Sequence, residues 1–137
     1  MISKTGIHAA LAMSVMAKLG PGEYVGAGHI AKEIGAPQNY LGKLLNLLSN
    51  SGLLESQKGF GGGFRLAKPA KRISLYDIVE PIDHVSRWGG CFLGKGKCRD
   101  DNPCAVHHQW KKIREDYLQF LKATSVDDLA ASRISLP

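Results

Sequence analysis

Residues 91–110 read CFLGKGKCRDDNPCAVHHQW and hold all three cysteines of the chain and two of its five histidines. The spacing is Cys91-x6-Cys98-x5-Cys104, with His107 and His108 just beyond. Three thiolates and an imidazole can ligate a soft or borderline metal, and a thiolate is also the reactive form in redox chemistry. An odd number of cysteines cannot be fully paired within one chain. Lys95, Lys97 and Arg99 lie among the thiols and favour thiolate over thiol. The loop's glycines let it wrap around a centre, and its amides can hydrogen-bond cluster sulfurs and tune their potential. With Cys104 in the first turn of a helix opening near Pro103, His107 and His108 follow at i+3 and i+4 on its face. Structural zinc sites typically pair ligands as Cys-x2–4-Cys, closer than anything here. The wider gaps suit an iron–sulfur cluster best, redox-active thiols next and zinc last. Cys104 and His107 also form a conceivable nucleophilic dyad, but no third orienting group or oxyanion site accompanies them, so an enzyme is not expected.

The elements that must position this loop read as mostly helical. Ser3 or Thr5 starts a first helix running to about Leu19, where Gly20-Pro21-Gly22 ends it. AGHIAKEIG carries Ile30 and Ile34 on one face of a second helix. Pro37 suits the first turn of a third. Its stripe Leu41, Leu44, Leu45, Leu48 has the i, i+3, i+4, i+7 spacing of a buried face, and its other face presents Gln38, Asn39, Lys43, Asn46 and Asn50. LLESQKGFGGGFRLA reads as a hairpin with strands near 53–58 and 64–67. SLYDIVEPI is a short helix with Ser74 and Asp77 as its capping pair, limited by Pro81. The last long helix runs from near Pro103 to about Lys122. Its apolar positions Val106, Trp110, Ile113, Tyr117 and Phe120 are spaced 4, 3, 4, 3, a seam that can pack on an equivalent helix. Thr124 or Ser125 begins one more capped turn.

Helix, tight turn, helix and glycine-tipped hairpin, in that order over residues 27–67, is the plan of a winged helix-turn-helix, whose second helix lies in the major groove. A polar helix face is ordinarily just solvated and a glycine-rich tip just a turn; the order of the elements outweighs that plainer reading. Gln38, Asn39, Tyr40 and Lys43 are then placed to reach bases and phosphates. Lys58, Gly59 and Arg65 form the wing, where glycine permits close approach of the backbone and a cation can enter a narrow minor groove. The net charge of +6 agrees with a polyanionic partner. Among the remaining histidines, His8 reads as a satisfied interior residue, His29 as a surface or phosphate-contacting one, and His84 has no motif around it. No apolar run reaches the roughly 18–20 residues of a membrane span. The opening MISKTGIHAALAMSVMAKL is broken by His8, Ser14 and Lys18 and reads as a helix rather than a signal peptide, which places the chain in the cytoplasm.

Taken together, SKTGIHAALAM, PQNYLGKLLNLLSNSGLLES, KGFGGGFRL, ISLYDIVEPID and the three-cysteine loop resemble the IscR/NsrR/RirA (Rrf-type) family of bacterial winged-helix regulators over nearly the whole chain. The loop is most similar to the IscR branch, which has Cys-x2-His at the matching place. The resemblance implies Cys91, Cys98 and Cys104 as iron–sulfur ligands, with His107 as candidate fourth. It implies a [2Fe–2S] cluster ahead of a [4Fe–4S] one, a homodimer crossed through the long C-terminal helix, and a near-palindromic DNA operator. Cluster-controlled DNA affinity, as in a repressor, would then report iron or cluster status, nitric oxide or redox stress. The alternative is a cluster-free regulator with a thiol-redox or zinc switch. The expected organisation is a DNA-binding domain over 1–83, a cluster loop over 84–104, and a dimerisation helix with tail over 105–137. Three departures stand out. The first cysteine gap is x6 where the IscR branch has x5, and Gly42 stands where that branch has a glutamate. Ile7 stands where the NsrR branch can supply an acidic ligand from the partner subunit, and Ile7 cannot ligate, although neighbouring His8 could.

Overall fold

The computed structural model describes residues 2–94, 96–97 and 99–131. Helix α1 (Lys4–Met16) opens where the Ser3 hydroxyl accepts the Gly6 N–H. It stops short of the glycines, because Lys18 and Leu19 already turn tightly back onto Val15 and Met16. Helix α2 (Ala27–Ile34) ends at Gly35 in the left-handed conformation, and α3 (Gln38–Asn50) follows after a two-residue turn. Pro37 is the N-cap of α3 rather than part of its first turn. The leucine stripe is buried as the spacing predicts, with Leu41, Leu45 and Leu48 at 0% exposure.

Strands β1 (Leu54–Gln57) and β2 (Gly63–Leu66) pair antiparallel, with Leu54 opposite Leu66 and Gln57 opposite Gly63. The hairpin is fastened to the helices through Val25, which exchanges both backbone hydrogen bonds with Phe64 at 2.9 and 2.8 Å. That fastening needs a glycine at 63. Its φ is +138°, and a Cβ there would overlap the Val25 carbonyl.

Helix α4 (Leu75–Asp83) has the predicted reciprocal cap between Ser74 and Asp77. Pro81 lies inside it and the helix ends two residues later, at Asp83, closing at His84 in the left-handed conformation. The proline lacks one N–H and so removes a single ladder bond. Helix α5 spans His107–Ala123 and α6 Val126–Ala131. Ser125 and Asp128 cap α6 reciprocally. The starts of α4 and α6 are joined in a short antiparallel bridge, Ser74 opposite Ser125, with Leu75 N–H on Thr124 O and Val126 N–H on Ile73 O at 2.9 and 2.8 Å.

One core links these elements: Met13 and Met16 of α1, Ile30 of α2, the α3 leucines, Ile73, Ile78 of α4, Leu121 of α5 and Val126. The buried residues of α5 are His107, Arg114 and Leu121, seven apart, so only a narrow stripe of that helix faces the protein. The predicted seam turns outward, with Ile113 and Phe120 55% and 52% exposed. With Ile7, Ala10 and Leu11 of α1, Tyr117 and Phe120 line an open apolar groove of about 340 Å³. Among the described residues no helix is long and apolar enough to cross a membrane.

Candidate nucleic-acid interface and cysteine loop

The polar face of α3 divides on inspection. The Asn39 and Lys43 side chains are exposed and, among the described residues, have no hydrogen-bond or ion-pair partner. Gln38 folds back over Gly28 of α2, near enough that a Cβ there would lie 3.2 Å from Nε2. Tyr40 is half-buried, and its hydroxyl lies 3.0 Å from Nδ1 of His8 on α1, the rings meeting edge-on. His8 is thus satisfied by Tyr40, as its interior reading predicts. Gly42, on the same helix, has open space where a Cβ would stand.

On the wing, Lys58 and Phe60 project into solvent and Gly59 has φ +91°, a left-handed conformation that favours glycine at the tip. Arg65 does not belong to that tip. It sits on β2 opposite Glu55, with Nε and Nη2 each 2.8 Å from Glu55 Oε2, and its guanidinium lies 4.5 Å over the Tyr24 ring. The Glu55 hydrogen bond raises the Arg65 pKa, so this cation is committed to the base of the wing. Exposed His29 bonds Glu33 one turn on at 2.9 Å, a surface role.

The cysteine loop leaves α4 through a 3-10 turn, Val85–Gly89. A tight turn follows in which Cys91 N–H bonds Gly96 O at 2.7 Å and Gly94 N–H bonds Cys91 O at 3.0 Å. Trp110 of α5 holds this turn by donating its indole N–H to Gly90 O at 3.1 Å. Cys104 does not sit in the first turn of α5, as the spacing suggests, because the helix opens three residues later. A separate turn, His107 N–H to Cys104 O at 3.1 Å, comes first, and helical bonding begins where Trp110 N–H reaches Val106 O at 2.9 Å. Cys91 and Cys104 are both half-buried. Cys98 and Lys95 lie outside the described residues.

His107 is 2% exposed, and Nε2 lies 2.8 Å from Asp100 Oδ1. Lys111, one turn along α5, places Nζ 3.0 Å from each oxygen of the same carboxylate. The His107 hydrogen bond first, and Lys111 second, hold the Asp100 carboxyl below its ordinary range. His108 is exposed and meets His107 edge-on. Among the described residues no three of His, Cys, Asp and Glu are drawn together around a metal position. The donor set itself, three thiols with one imidazole, suits an iron–sulfur centre, and the Gly90 and Cys104 carbonyls both bond the opening turns of α5.

The sequence reading missed Asp100 and the His8–Tyr40 pair. The i, i+4 spacing of His107 and Lys111 was a visible signal that a carboxylate could bridge them. Nothing local joins residues 8 and 40.

The family model described as an iron-dependent transcriptional regulator, Rrf2, matches residues 2–132. A helix-turn-helix-type transcriptional regulator of Aquifex aeolicus is 36% identical over 129 residues, covering 93% of this chain and 89% of that one. The regulator IscR of Klebsiella pneumoniae is 28% identical, covering 90% of this chain and 73% of its own. Among solved structures, CymR, the global cysteine regulator of B. subtilis, superposes with TM-score 0.78 at 26% identity, covering 96% of each chain.

Proposed function

Because the chain belongs to the Rrf2 family of transcriptional regulators, which are not enzymes, we propose that it is a cytoplasmic, homodimeric DNA-binding regulator whose operator affinity is set by an iron–sulfur cluster. Residues 1–83 form the DNA-reading domain, 84–104 the cluster loop, and 105–137 the dimerisation helix and tail. Cys91, Cys98, Cys104 and His107 hold the cluster, a [2Fe–2S] centre ahead of a [4Fe–4S] one. Asn39, Lys43, Lys58 and Gly59 meet DNA directly, while Gln38, Tyr40 and Arg65 shape that surface from their internal contacts. The outward seam Ile113, Tyr117 and Phe120, with Ile7, packs on its copy.

The observation that carries this reading is the fastening of the cysteine loop to the start of α5, Gly90 by Trp110 and Cys104 by His107. A change at the thiols is thereby delivered to the helix that sets the relative placement of two winged modules, and so their fit to half-sites one helical turn apart. When bound, the cluster supplies a redox-active centre that nitric oxide or oxidants can degrade. The test is anaerobic purification and reconstitution with iron and sulfide assays, absorbance between 320 and 450 nm, and DNA binding with and without the cluster. A protein that stays colourless and iron-free rejects the cluster.

A second reading keeps the DNA binding and replaces the cluster with a thiol-redox or zinc switch. It is favoured by the half-buried positions of Cys91 and Cys104 and by the similarity to a regulator described as the global cysteine regulator of its organism. An iron-free protein whose DNA affinity changes reversibly with oxidant and reductant, or with zinc, supports it.

A further inference from the structure

Asp100 has no place in the ligand set, yet its Oδ1 lies 2.8 Å from Nε2 of His107. Its carboxylate is held from the other side by Lys111 at 3.0 Å through both oxygens. His107 and Lys111 stand one turn apart on the same face of α5, so the carboxylate bridges two fixed points of a helix. The imidazole is 2% exposed, whereas the Asp100 side chain is 70% exposed. A buried ring is thus oriented by an acid that water can reach.

The chemistry of that contact selects a tautomer. An ionised carboxylate can only accept, so the proton between the two groups belongs to Nε2. The Lys111 ammonium, 3.0 Å from both oxygens, favours the charged carboxylate as the acceptor. A neutral imidazole protonated at Nε2 has its lone pair on Nδ1, and a metal can bond only to a lone pair. Metal-ligating histidines commonly donate their other N–H to a carboxylate, which orients the ring and strengthens it as a donor.

We propose that Asp100, held by Lys111, is a positioning residue that fixes His107 in the Nε2–H form and so commits it to binding iron through Nδ1. This rests on the cluster reading above and assigns which nitrogen ligates and which residue decides it. The opposite arrangement, in which Asp100 releases Nε2 to the iron, predicts different spectra.

The test uses full-length protein carrying histidine labelled with ¹⁵N at Nδ1 or at Nε2, in wild type, Asp100→Asn and Asp100→Ala, with His107→Ala to assign the signal. Without cluster, long-range ¹H–¹⁵N spectra of the wild type should show His107 as the Nε2–H tautomer, and Asp100→Ala should give a mixture. After anaerobic reconstitution and reduction, pulsed electron paramagnetic resonance should find strong coupling to Nδ1-labelled nitrogen. Asp100→Ala should lose its cluster to a chelator on the order of 10–100-fold faster. Asp100→Asn, which can still accept from Nε2–H but lacks the charge, should hold the tautomer and raise the midpoint potential. Strong coupling from Nε2 in a protein that does bind iron overturns this proposal alone. An unchanged tautomer and unchanged cluster lifetime in Asp100→Ala do the same. A wild type that takes up no iron and sulfide overturns the cluster reading, and this proposal with it.

Discussion

The module ending at Asp83 and the loop that follows it are held together in opposite ways. The first is fixed by burial: α1, α2, α3 and α4 all send side chains into one core, where Met13, Ile30, Leu41, Leu45, Leu48 and Ile78 have no exposure. In the second, none of the residues between 86 and 106 whose burial is described is buried. Its geometry comes from a few hydrogen bonds to α5, from the Trp110 indole, the His107 N–H and the Asp100 carboxylate. Burial is non-directional and adds up over many contacts; a few polar ties are directional and each can be exchanged for another ligand. The helical module is built to keep its shape, and on the proposed reading the loop takes its shape from what it binds.

The contrast breaks if core and loop substitutions behave alike. Leu45→Ala, at a site with 0% exposure, should lower stability by about 2–5 kcal/mol, read as a shift in urea midpoint. Cys104→Ser should leave that midpoint within about 0.5 kcal/mol while abolishing any response to iron. Equal shifts for the two would show that the loop is part of the fold. Lys43→Ala and Lys58→Ala separate binding from stability inside the rigid module. Each should reduce the slope of log affinity against log salt by about 1 with no change in melting, because both side chains are exposed and have no partner among the described residues. Arg65→Ala should instead disturb the hairpin. A smaller effect is expected at Gly42, where a Cβ meets open space. Gly42→Ala should stabilise α3 by about 0.5–1 kcal/mol, and a simultaneous loss of affinity would show that the backbone there approaches DNA. The smallest effect concerns α6. The Ser125 backbone N–H, with the Ser125 hydroxyl, lowers the Asp128 pKa. A depressed folded value means this cap is fully present above the unfolded pKa of about 3.9 and is lost as pH falls through the folded value. Amide protection in α6 should therefore fall as the pH drops below about 4, and protection that does not change with acidification would mean the cap contributes nothing.

Legibility in the sequence follows the same division. The leucines of α3, the reciprocal caps at Ser74 and Ser125 and the hairpin are local signals, written in spacings of three, four and two, and each appears where expected. The misplaced boundaries lie where tertiary contacts override a local cue. The glycines after Leu19 mark the end of α1, yet tight turns after Met16 close it earlier. Pro103 was read as a start, yet the Cys104–His107 turn intervened. In the site, residue types were readable but pairings were not. The His8 ring and the Tyr40 hydroxyl meet across 32 positions, and Glu55 takes Arg65 away from the wing tip only because strand register sets them opposite.

The bridge between Ser74 and Ser125 has a mechanical consequence. It pins the C-terminal end of α5 to the root of α4, while the other end rests on the cysteine loop. At 17 residues the helix is about 25 Å long. A beam clamped at one end and pushed at the other tilts rather than slides, so 1 Å of travel at His107 is roughly a 2° swing about the stitch over that length. Ile113, Tyr117 and Phe120 sit at decreasing radius from that pivot and move by decreasing amounts. Phe120, beside the clamp, acts as fulcrum, and Ile113 sweeps the wider arc.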